Sequence, residues 1–364
     1  MKEKAITILK MIKENGFIAY FVGGYPRDTY MNRPCVDIDI CTNATPKELK
    51  EIFKDAIISS IQYGSVTVFY QNVRFEITTF RKEFGYKDYR KPSEIFYIDS
   101  LEEDLKRRDF TINTLCMDEY GNIKDLLGGI KDIEKKEIVM VGNPEIRLKE
   151  DVLRILRAIR FATIFNFQLD STLKKYIKEY GYLLQYLSFH RKKEELDKIF
   201  VSENVLLGIH LLLEFGLEKY LSLNNLENVV ITSSSLGIWA QINVLDIYPF
   251  TNSEKKIIGS IQKLMKEDIM DSFVLYKNGL YVCSLVSEIQ KIDKKEVTKK
   301  YASLPIHSRK EIEITSMEVA SLLKKKPGPY LNMIFKDLEY QILKCDVKNE
   351  KDCLKEYVLK NYGD

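Results

Sequence analysis

The sequence predicts an α+β protein in which a head with a mixed sheet is followed by an all-helical remainder. Three observations carry this. Up to about residue 140, short apolar or alternating runs such as FIAYFV, CVDIDIC, YGSVTVFY and VRFEITTF read as strands. These strands are joined by turns as often as by helices, which indicates a mixed or mostly antiparallel sheet. Beyond Glu145 the pattern changes to amphipathic helical stretches separated by short polar loops.

The elements follow in order. In MKEKAITILKMIKENG, Ala5, Ile8, Leu9 and Ile12 keep helical spacing while Glu3 and Glu14 interrupt any basic or apolar address, so a structural helix is expected. FIAYFV is a strand running into the Gly23-Gly24 turn, with a helix start at Pro26. CVDIDIC alternates as a strand, YGSVTVFY and VRFEITTF follow, and MDEYGNIKDLLGG is a strand pair closed at Tyr120-Gly121-Asn122. The helical remainder shows no fixed-period repeat. Its best breaks are Asn224-Asn225, the Ser233 to Ser235 cluster, Pro249, and the lysine-rich IQKIDKKEVTKK before Leu304-Pro305.

At 364 residues and 45% hydrophobic content the chain has enough apolar material for more than one packed module. Lys and Arg number 56 against 53 Asp and Glu, a net charge of +3, so any nucleic-acid surface must be a local patch. Six cysteines, at 35, 41, 116, 283, 345 and 353, form no CxxC pair, and only 3 histidines accompany them. That usage fits a reducing cytoplasm and no zinc site. The longest apolar stretch, Leu206 to Gly216, is much shorter than the roughly 20 residues that span a bilayer.

Chemistry is concentrated early. On a strand, Asp37 and Asp39 share one face and Ile38 takes the other. Two adjacent carboxylates repel unless a cation lies between them, and hard oxygen donors at this spacing suit Mg²⁺. Seen alone, such a pair is also compatible with a solvated strand face. The preceding Gly23 and Gly24 let backbone approach a ligand closely, and Arg27 adds positive charge for a phosphate, although a plain tight turn has the same residues. Glu76, alternating with Arg74 and Thr78 in VRFEITTF, supplies a third acid from another strand.

With VGGYPRD, DIDICTNATP, ITTFR, RRDFTIN (residues 107–113) and EDVLRILRAIRFA from Glu150, the chain resembles the class II tRNA nucleotidyltransferases, the CCA-adding enzymes, with bacterial poly(A) polymerases as relatives. The resemblance is continuous from about residue 17 to 165. It implies a polymerase-β-type nucleotidyltransferase head, with helical neck, body and tail. The implied divisions are head 1–140, neck 141–200, body 201–295 and tail 296–364. It further implies metal-ligand roles for Asp37 and Asp39, with Glu76 as the matching third acid, and a ribose- and phosphate-holding element at Arg108 and Asp109 with Asn113 nearby. Spacing alone allows Asp109 a helix-capping role instead.

A helix beginning near Glu150 would place Val152, Ile155, Leu156 and Ile159 on one face, and Glu150, Asp151, Arg154, Arg157 and Arg160 on the other. Pairs such as Glu150 with Arg154 also suit an ordinary solvated face. The sharper reading rests on base chemistry. Cytosine and adenine both present an amino donor beside a ring-nitrogen acceptor, whereas uracil and guanine present a carbonyl beside an N–H. An aspartate accepting from the amino group and an arginine donating to the ring nitrogen admit C and A. Asp151 and Arg154 are spaced for that two-point contact, worth roughly 1–3 kcal/mol of discrimination. The resemblance gives Glu150 the task of orienting Arg154, and Arg157 and Arg160 suit triphosphate or RNA phosphates.

The charged, glycine-containing stretch from Thr79 to Ile95 suits a mobile loop. In the family its loss accompanies enzymes that stop after two cytidines, so its retention favours full CCA addition or A addition. The C-terminal stretch from Ile314 resembles the tail that holds the tRNA elbow, with Lys324 to Lys326 as phosphate contacts or simply a solvated loop. Between 205 and 295 the match is faint and the body short. No His-Asp doublet occurs, so the phosphohydrolase domain of some relatives is not expected. The expected activity is cytoplasmic CCA addition to tRNA from CTP and ATP. A-only addition, poly(A) synthesis and non-catalytic tRNA binding are the alternatives, and the oligomeric state stays open.

Overall fold

The computed structural model describes residues 1–363 apart from 36, 55, 56, 61–63, 88 and 90. Val36, Tyr63, Asp88 and Arg90, which the predicted strands and loop include, lie outside the described residues. The chain divides into two units, Met1–Leu223 and Asn224–Asp364.

The first unit opens with α1 (Lys2–Glu14), whose Ala5, Ile8, Leu9 and Ile12 are all fully buried, as their spacing predicts. Next come β1 (Ala19–Val22), α2 (Gly24–Tyr30), β2 (Asp39–Thr42) and α3 (Pro46–Ile52). Thr45 and Glu48 close a reciprocal capping box at the start of α3, and Pro46 fits its first turn, where no donor is needed. Strands β3 (Ile57–Ser60), β4 (Ser65–Tyr70) and β5 (Val73–Thr79) follow. After them come β6 (Arg81–Lys87), β7 (Lys91–Tyr97), α4 (Leu101–Lys106), β8 (Cys116–Met117) and β9 (Ile123–Lys124).

Among the described residues, the main sheet has the order β3-β4-β5-β2-β1-β8-β9. Only the β2–β5 pairing is parallel; the neighbours are antiparallel, which makes the sheet mixed, as the sequence indicates. Strand alternation sorts its two faces. Phe21, Ile40, Val66, Phe75 and Ile77 join the α1 residues in one apolar core. On the other face Val22, Cys41 and Cys116 pack with Leu101 and Leu105 of α4. Asp39 and Glu76 are on this second face by alternation, beyond its apolar part.

The stretch from Thr79 to Ile95, read from composition as a loop, is an antiparallel hairpin of β6 and β7 with Arg81 opposite Tyr97 and Glu83 opposite Ile95. Its inner face is held by charge, which apolar periodicity does not reveal. Arg81 pairs with Glu83 at 2.8 Å. Gly85, at φ +55°, breaks the alternation, so Tyr86 reaches the Glu83 carboxylate with its hydroxyl at 2.8 Å. Near the tip, the Tyr89 carbonyl accepts from the Val152 N–H at 3.0 Å, and its ring stacks on Tyr186 at 5.3 Å.

The unit continues through α5 (Gly129–Lys135), β10 (Glu137–Ile138), α6 (Pro144–Glu150), α7 (Leu153–Phe165) and β11 (Gln168–Leu169), with β10 and β11 parallel. It closes with α8 (Ser171–Tyr180), α9 (Phe189–Phe200) and α10 (Val205–Glu214). The expected helix from Glu150 is corrected here. Asp151, at φ −140° and ψ 99°, ends α6, and its carboxylate accepts from the Leu153 N–H at 3.1 Å to start a second helix. An aspartate that caps its own chain segment competes with helix continuation.

The second unit consists of helices α11 (Ser235–Ile242), α12 (Asn252–Leu264), α13 (Ser272–Gln290), α14 (Lys294–Ala302), α15 (Ser316–Leu322), α16 (Tyr330–Leu343) and α17 (Lys351–Tyr362). Trp239 is fully buried against Tyr248 and Phe250. Asp337 of α16 accepts from the hydroxyls of Tyr357 and Tyr362 at 2.7 and 2.8 Å, fastening α17. Among the described residues no helix is long and apolar enough to cross a membrane. All the cysteines named above are free thiols.

Candidate active site

The acids are placed by sheet register. On β2, Asp39 stands directly opposite Glu76 of β5 and, on its other side, opposite Val22 of β1. Ile38 and Ile40 are buried while Asp37 and Asp39 open to solvent, which is the alternation read from the sequence. The strand itself starts later than expected, so Asp37 precedes it. The Cys35 thiol donates to the Asp37 carbonyl at 3.1 Å, committing that acceptor locally. Desolvation raises the Asp39 carboxyl above its ordinary value, Arg108 opposes that, and Glu76 and Asp37 push further upward.

Crowded carboxylates of this kind fit a hard divalent cation, whose charge reverses the repulsion. Among the described residues, no three ligand-type side chains converge closely enough to hold an ion unaided. A divalent cation placed here would need substrate oxygens and water to complete its coordination shell.

Gly23 is the N-cap of α2 at φ +76°, and the helix begins at Gly24 rather than Pro26. A Cβ at Gly23 would sit 3.3 Å from Oδ2 of Asp39 and 3.9 Å from Nη1 of Arg108. Glycine is required for the backbone as well as for the space. Gly23→Ala is expected to lose about 1–3 kcal/mol to strain at this positive-φ conformation and to reduce nucleotide incorporation more than tRNA binding. Equal losses in the filter-binding and incorporation assays would refute a local role.

Arg27 is buried, and much of its charge is committed within the protein. Its guanidinium pairs with Asp28 at 2.9 Å, donates to Oδ1 of Asn113 and lies 4.6 Å from the Phe165 ring centroid. The Asn113 amide in turn donates to Asp109 Oδ1 at 2.9 Å. Asp109 also accepts from Arg157 Nε at 2.6 Å and from the Phe110 N–H at 2.8 Å. Among the described residues its carboxylate is thus held by a charge, an amide and its neighbour's backbone N–H rather than by a helix N-terminus.

Burial disfavours the Asp109 carboxylate, but the Arg157 charge and these hydrogen bonds outweigh it and hold the carboxyl well below its ordinary range. A depressed folded pKa stabilises the fold above the unfolded value of 3.8 and loses that contribution as pH falls through the folded value. Asp109→Asn is therefore expected to lower Tm at pH 7, with the gap to the parent narrowing below about pH 4. A gap that is constant with pH in melting curves would exclude the ionic contribution.

Arg108 stands next to Asp39 and reaches Asp104 at 3.4 Å; Asp104, fully buried, also binds Arg107 at 2.7 Å and the Arg81 N–H at 3.1 Å. Arg107 further contacts Glu83 of the hairpin at 3.4 Å. Asp104, Arg107 and Glu83 were not singled out from the sequence. The signal available was an acid three and four residues before two consecutive arginines.

The segment from Glu150 to Arg160, expected from the sequence to read the base, straddles the break between α6 and α7. Val152, Ile155, Leu156 and Ile159 are fully buried, as their spacing predicts, but the opposite side is not a solvated face: Arg154 and Arg160 are buried too. Arg154 Nη1 donates to the Arg147 carbonyl at 2.7 Å and to Glu150 at 3.3 Å, and Nη2 to the Arg107 carbonyl at 3.2 Å. Arg160 pairs with Glu195 at 2.9 Å, and burial draws its guanidinium down to about 10.

One cavity of about 730 Å³ is lined by all the candidate residues between Gly23 and Arg160 except Glu76 and Glu150. It brings Asp37 and Asp39 together with Asp151 and Arg154, and adds Lys198 of α9, which the sequence did not mark. Glu76 lines a cleft of about 290 Å³ that shares Asp39, Arg107 and Arg108 with it. Glu150 stands behind Arg154 as its ion-pair partner.

An acid-bearing mixed sheet facing an arginine-lined cavity is the architecture of a nucleotidyltransferase. The profile of the poly A polymerase head domain matches residues 19–139, that of the probable RNA- and SrmB-binding site of polymerase A residues 166–224, and that of tRNA nucleotidyltransferase domain 2 (putative) residues 241–358. A CCA-adding enzyme of Bacillus cereus is 33% identical over 387 aligned positions, covering 98% of each chain, and one of Bacillus anthracis matches equally. The Bacillus stearothermophilus CCA-adding enzyme in complex with CTP superposes with a TM-score of 0.84 at 28% identity, over 98% of this chain and 96% of that one. The Thermotoga maritima CCA-adding enzyme complexed with tRNA shares the fold, with a TM-score of 0.68 at 20% identity, over 98% of this chain and 94% of that one. The chain belongs to the CCA-adding enzymes.

Proposed function

We propose that this chain adds C and A to the 3′ end of tRNA from CTP and ATP, releasing pyrophosphate, with Asp37 and Asp39 holding Mg²⁺ and Glu76 as the third catalytic acid. The observation that carries this reading is the single cavity joining Asp39, in register with Glu76, to the base-reading pair Asp151 and Arg154. Bound divalent ions lower the pKa of an attacking 3′-hydroxyl and neutralise charge on the departing phosphates.

The protein's own groups divide the remaining work. Arg108, next to Asp39, offers charge to the triphosphate. Asp109 and Asn113 hold the ribose side, with Arg157 keeping Asp109 ionised. Asp151 accepts from the amino group of C or A while Arg154 donates to the ring nitrogen, and Arg160 and Lys198 add positive charge to the cavity. Gly23, Gly24 and Arg27 bring the start of α2 against the phosphates.

Lys324 to Lys326, all exposed, offer phosphate contacts in a tail spanning 296–364, after a head to 140, a neck to 200 and a body to 295. A cytoplasmic setting suits the substrate. The C-terminal tRNA nucleotidyltransferase match and the end-to-end likeness to CCA-adding enzymes disfavour A-only and poly(A) addition. A non-catalytic tRNA-binding protein would be expected to have lost one of the acids, and all three are present.

The test is incorporation of labelled CTP and ATP, with Mg²⁺, into tRNA ending before CCA, tRNA ending in CC, and an unstructured RNA. Completion of both tRNAs by the required one or three residues is the expected result. Failure to incorporate refutes the enzymatic reading, and long adenosine tails on the unstructured RNA favour poly(A) synthesis.

A further inference from the structure

Arg147 of α6 does not line the cavity, yet both terminal nitrogens of its guanidinium donate to groups that surround the Asp151–Arg154 pair and the Arg107–Arg108 turn. Its side chain is 11% exposed. Nη1 donates to the Glu150 carboxylate, and Nη2 to the Arg107 carbonyl and, at 3.1 Å, to the Arg108 carbonyl. The Arg147 carbonyl accepts from Arg154 Nη1 at 2.7 Å and from the Asp151 N–H at 3.3 Å. Arg154 binds the same oxygen of Glu150 at 3.3 Å and the same Arg107 carbonyl at 3.2 Å. Two guanidiniums thus share one carboxylate oxygen and one backbone carbonyl in a closed ring.

This ring joins two places that must keep a fixed separation. Arg154 meets the base edge, whereas Arg108 stands by Asp39, where the phosphate reacts. The carbonyls of Arg107 and Arg108 are the reference points for both. We propose that Arg147 is a positioning residue that fixes the Asp151–Arg154 pair against the Arg107–Arg108 turn and thereby contributes to nucleotide choice, an inference that rests on the base-reading role assigned above.

A planar guanidinium is suited to the task because it offers donors in fixed directions, so it can hold a carboxylate and two carbonyls at once. An ammonium keeps the charge but not the fork. A residue that merely staples α6 to the sheet-bearing part would affect stability and all nucleotides alike. A positioning residue would shift the ratio between them.

The experiment measures kcat and KM for CTP and UTP on tRNA ending before CCA, and for ATP on tRNA ending in CC. The full-length parent is compared with Arg147→Gln, Arg147→Lys, Arg154→Ala and the Arg147→Gln/Arg154→Ala double variant, with Tm recorded for each. Arg147→Gln is expected to lower the CTP-to-UTP ratio of kcat/KM at least fivefold, and the double variant to lose no more selectivity than Arg154→Ala alone. Arg147→Lys should recover Tm but not the ratio, and it keeps the test open if the glutamine variant folds poorly. A uniform rate loss with the ratio unchanged in both Arg147 variants, while Arg154→Ala relaxes it, overturns the positioning role alone. An unchanged ratio in Arg154→Ala overturns the reading pair itself, and the inference falls with it.

Discussion

Replacing Asp39 with asparagine is expected to lower nucleotide incorporation by at least about a hundredfold while leaving the fold intact; loss of even part of the several kcal/mol that metal ions contribute in the transition state is that large. The amide has nearly the carboxylate's shape but none of its charge. Its surroundings bear on stability as well. Asp39 faces Glu76 across β2 and β5; desolvation raises its carboxyl most, Arg108 opposes that, and Glu76 and Asp37 add to the rise. A carboxyl raised above its unfolded value weakens the metal-free fold once pH exceeds that value, so removing its charge should leave Tm at pH 7 unchanged or slightly higher. Primer-extension gels with CTP and a thermal melt settle the point together. A near-parental rate removes Asp39 from the chemistry. A large fall in Tm shows instead that the side chain serves the fold.

The parts of this site legible in the sequence are those fixed by strand alternation or by an unbroken helical stripe. Ile38 and Ile40 inward with Asp37 and Asp39 outward follows from a period of two and holds even though Asp37 lies before the strand. The four apolar residues of α1 hold for the same kind of reason. Features set by polar side chains were not legible. Asp151 closes α6 with its own carboxylate, so a pattern that reads as one helix is two. The hairpin at residues 81–97 is held by Arg81, Glu83 and Arg107, and charge of that kind in a sequence reads as loop. Which backbone carbonyls Arg147 and Arg154 would share depends on bringing Arg107 alongside α6, a contact across about forty residues that no local spacing encodes.

Arg154→Ala is expected to relax nucleotide choice far more than it slows transfer of CTP. In a two-point contact, removing the ring-nitrogen donor leaves Asp151 to accept from the amino group, so C and A keep one contact. U and G no longer confront a donor opposed to their own N–H. The CTP-to-UTP ratio of kcat/KM should fall by roughly 1–3 kcal/mol, a few-fold to more than a hundredfold. The same substitution removes donors from Glu150 and from the carbonyls of Arg147 and Arg107, and a buried acceptor left without a partner costs about 1–3 kcal/mol. A drop in Tm is therefore expected alongside, and it must be separated from the effect on choice. Arg154→Lys does this, since an ammonium can satisfy one or two of those acceptors but cannot also present a planar edge to the base. Its Tm should lie closer to the parent, with selectivity as relaxed as in the alanine variant. If the lysine variant instead keeps full discrimination against UTP, positive charge alone suffices and the paired-edge account of Asp151 and Arg154 fails.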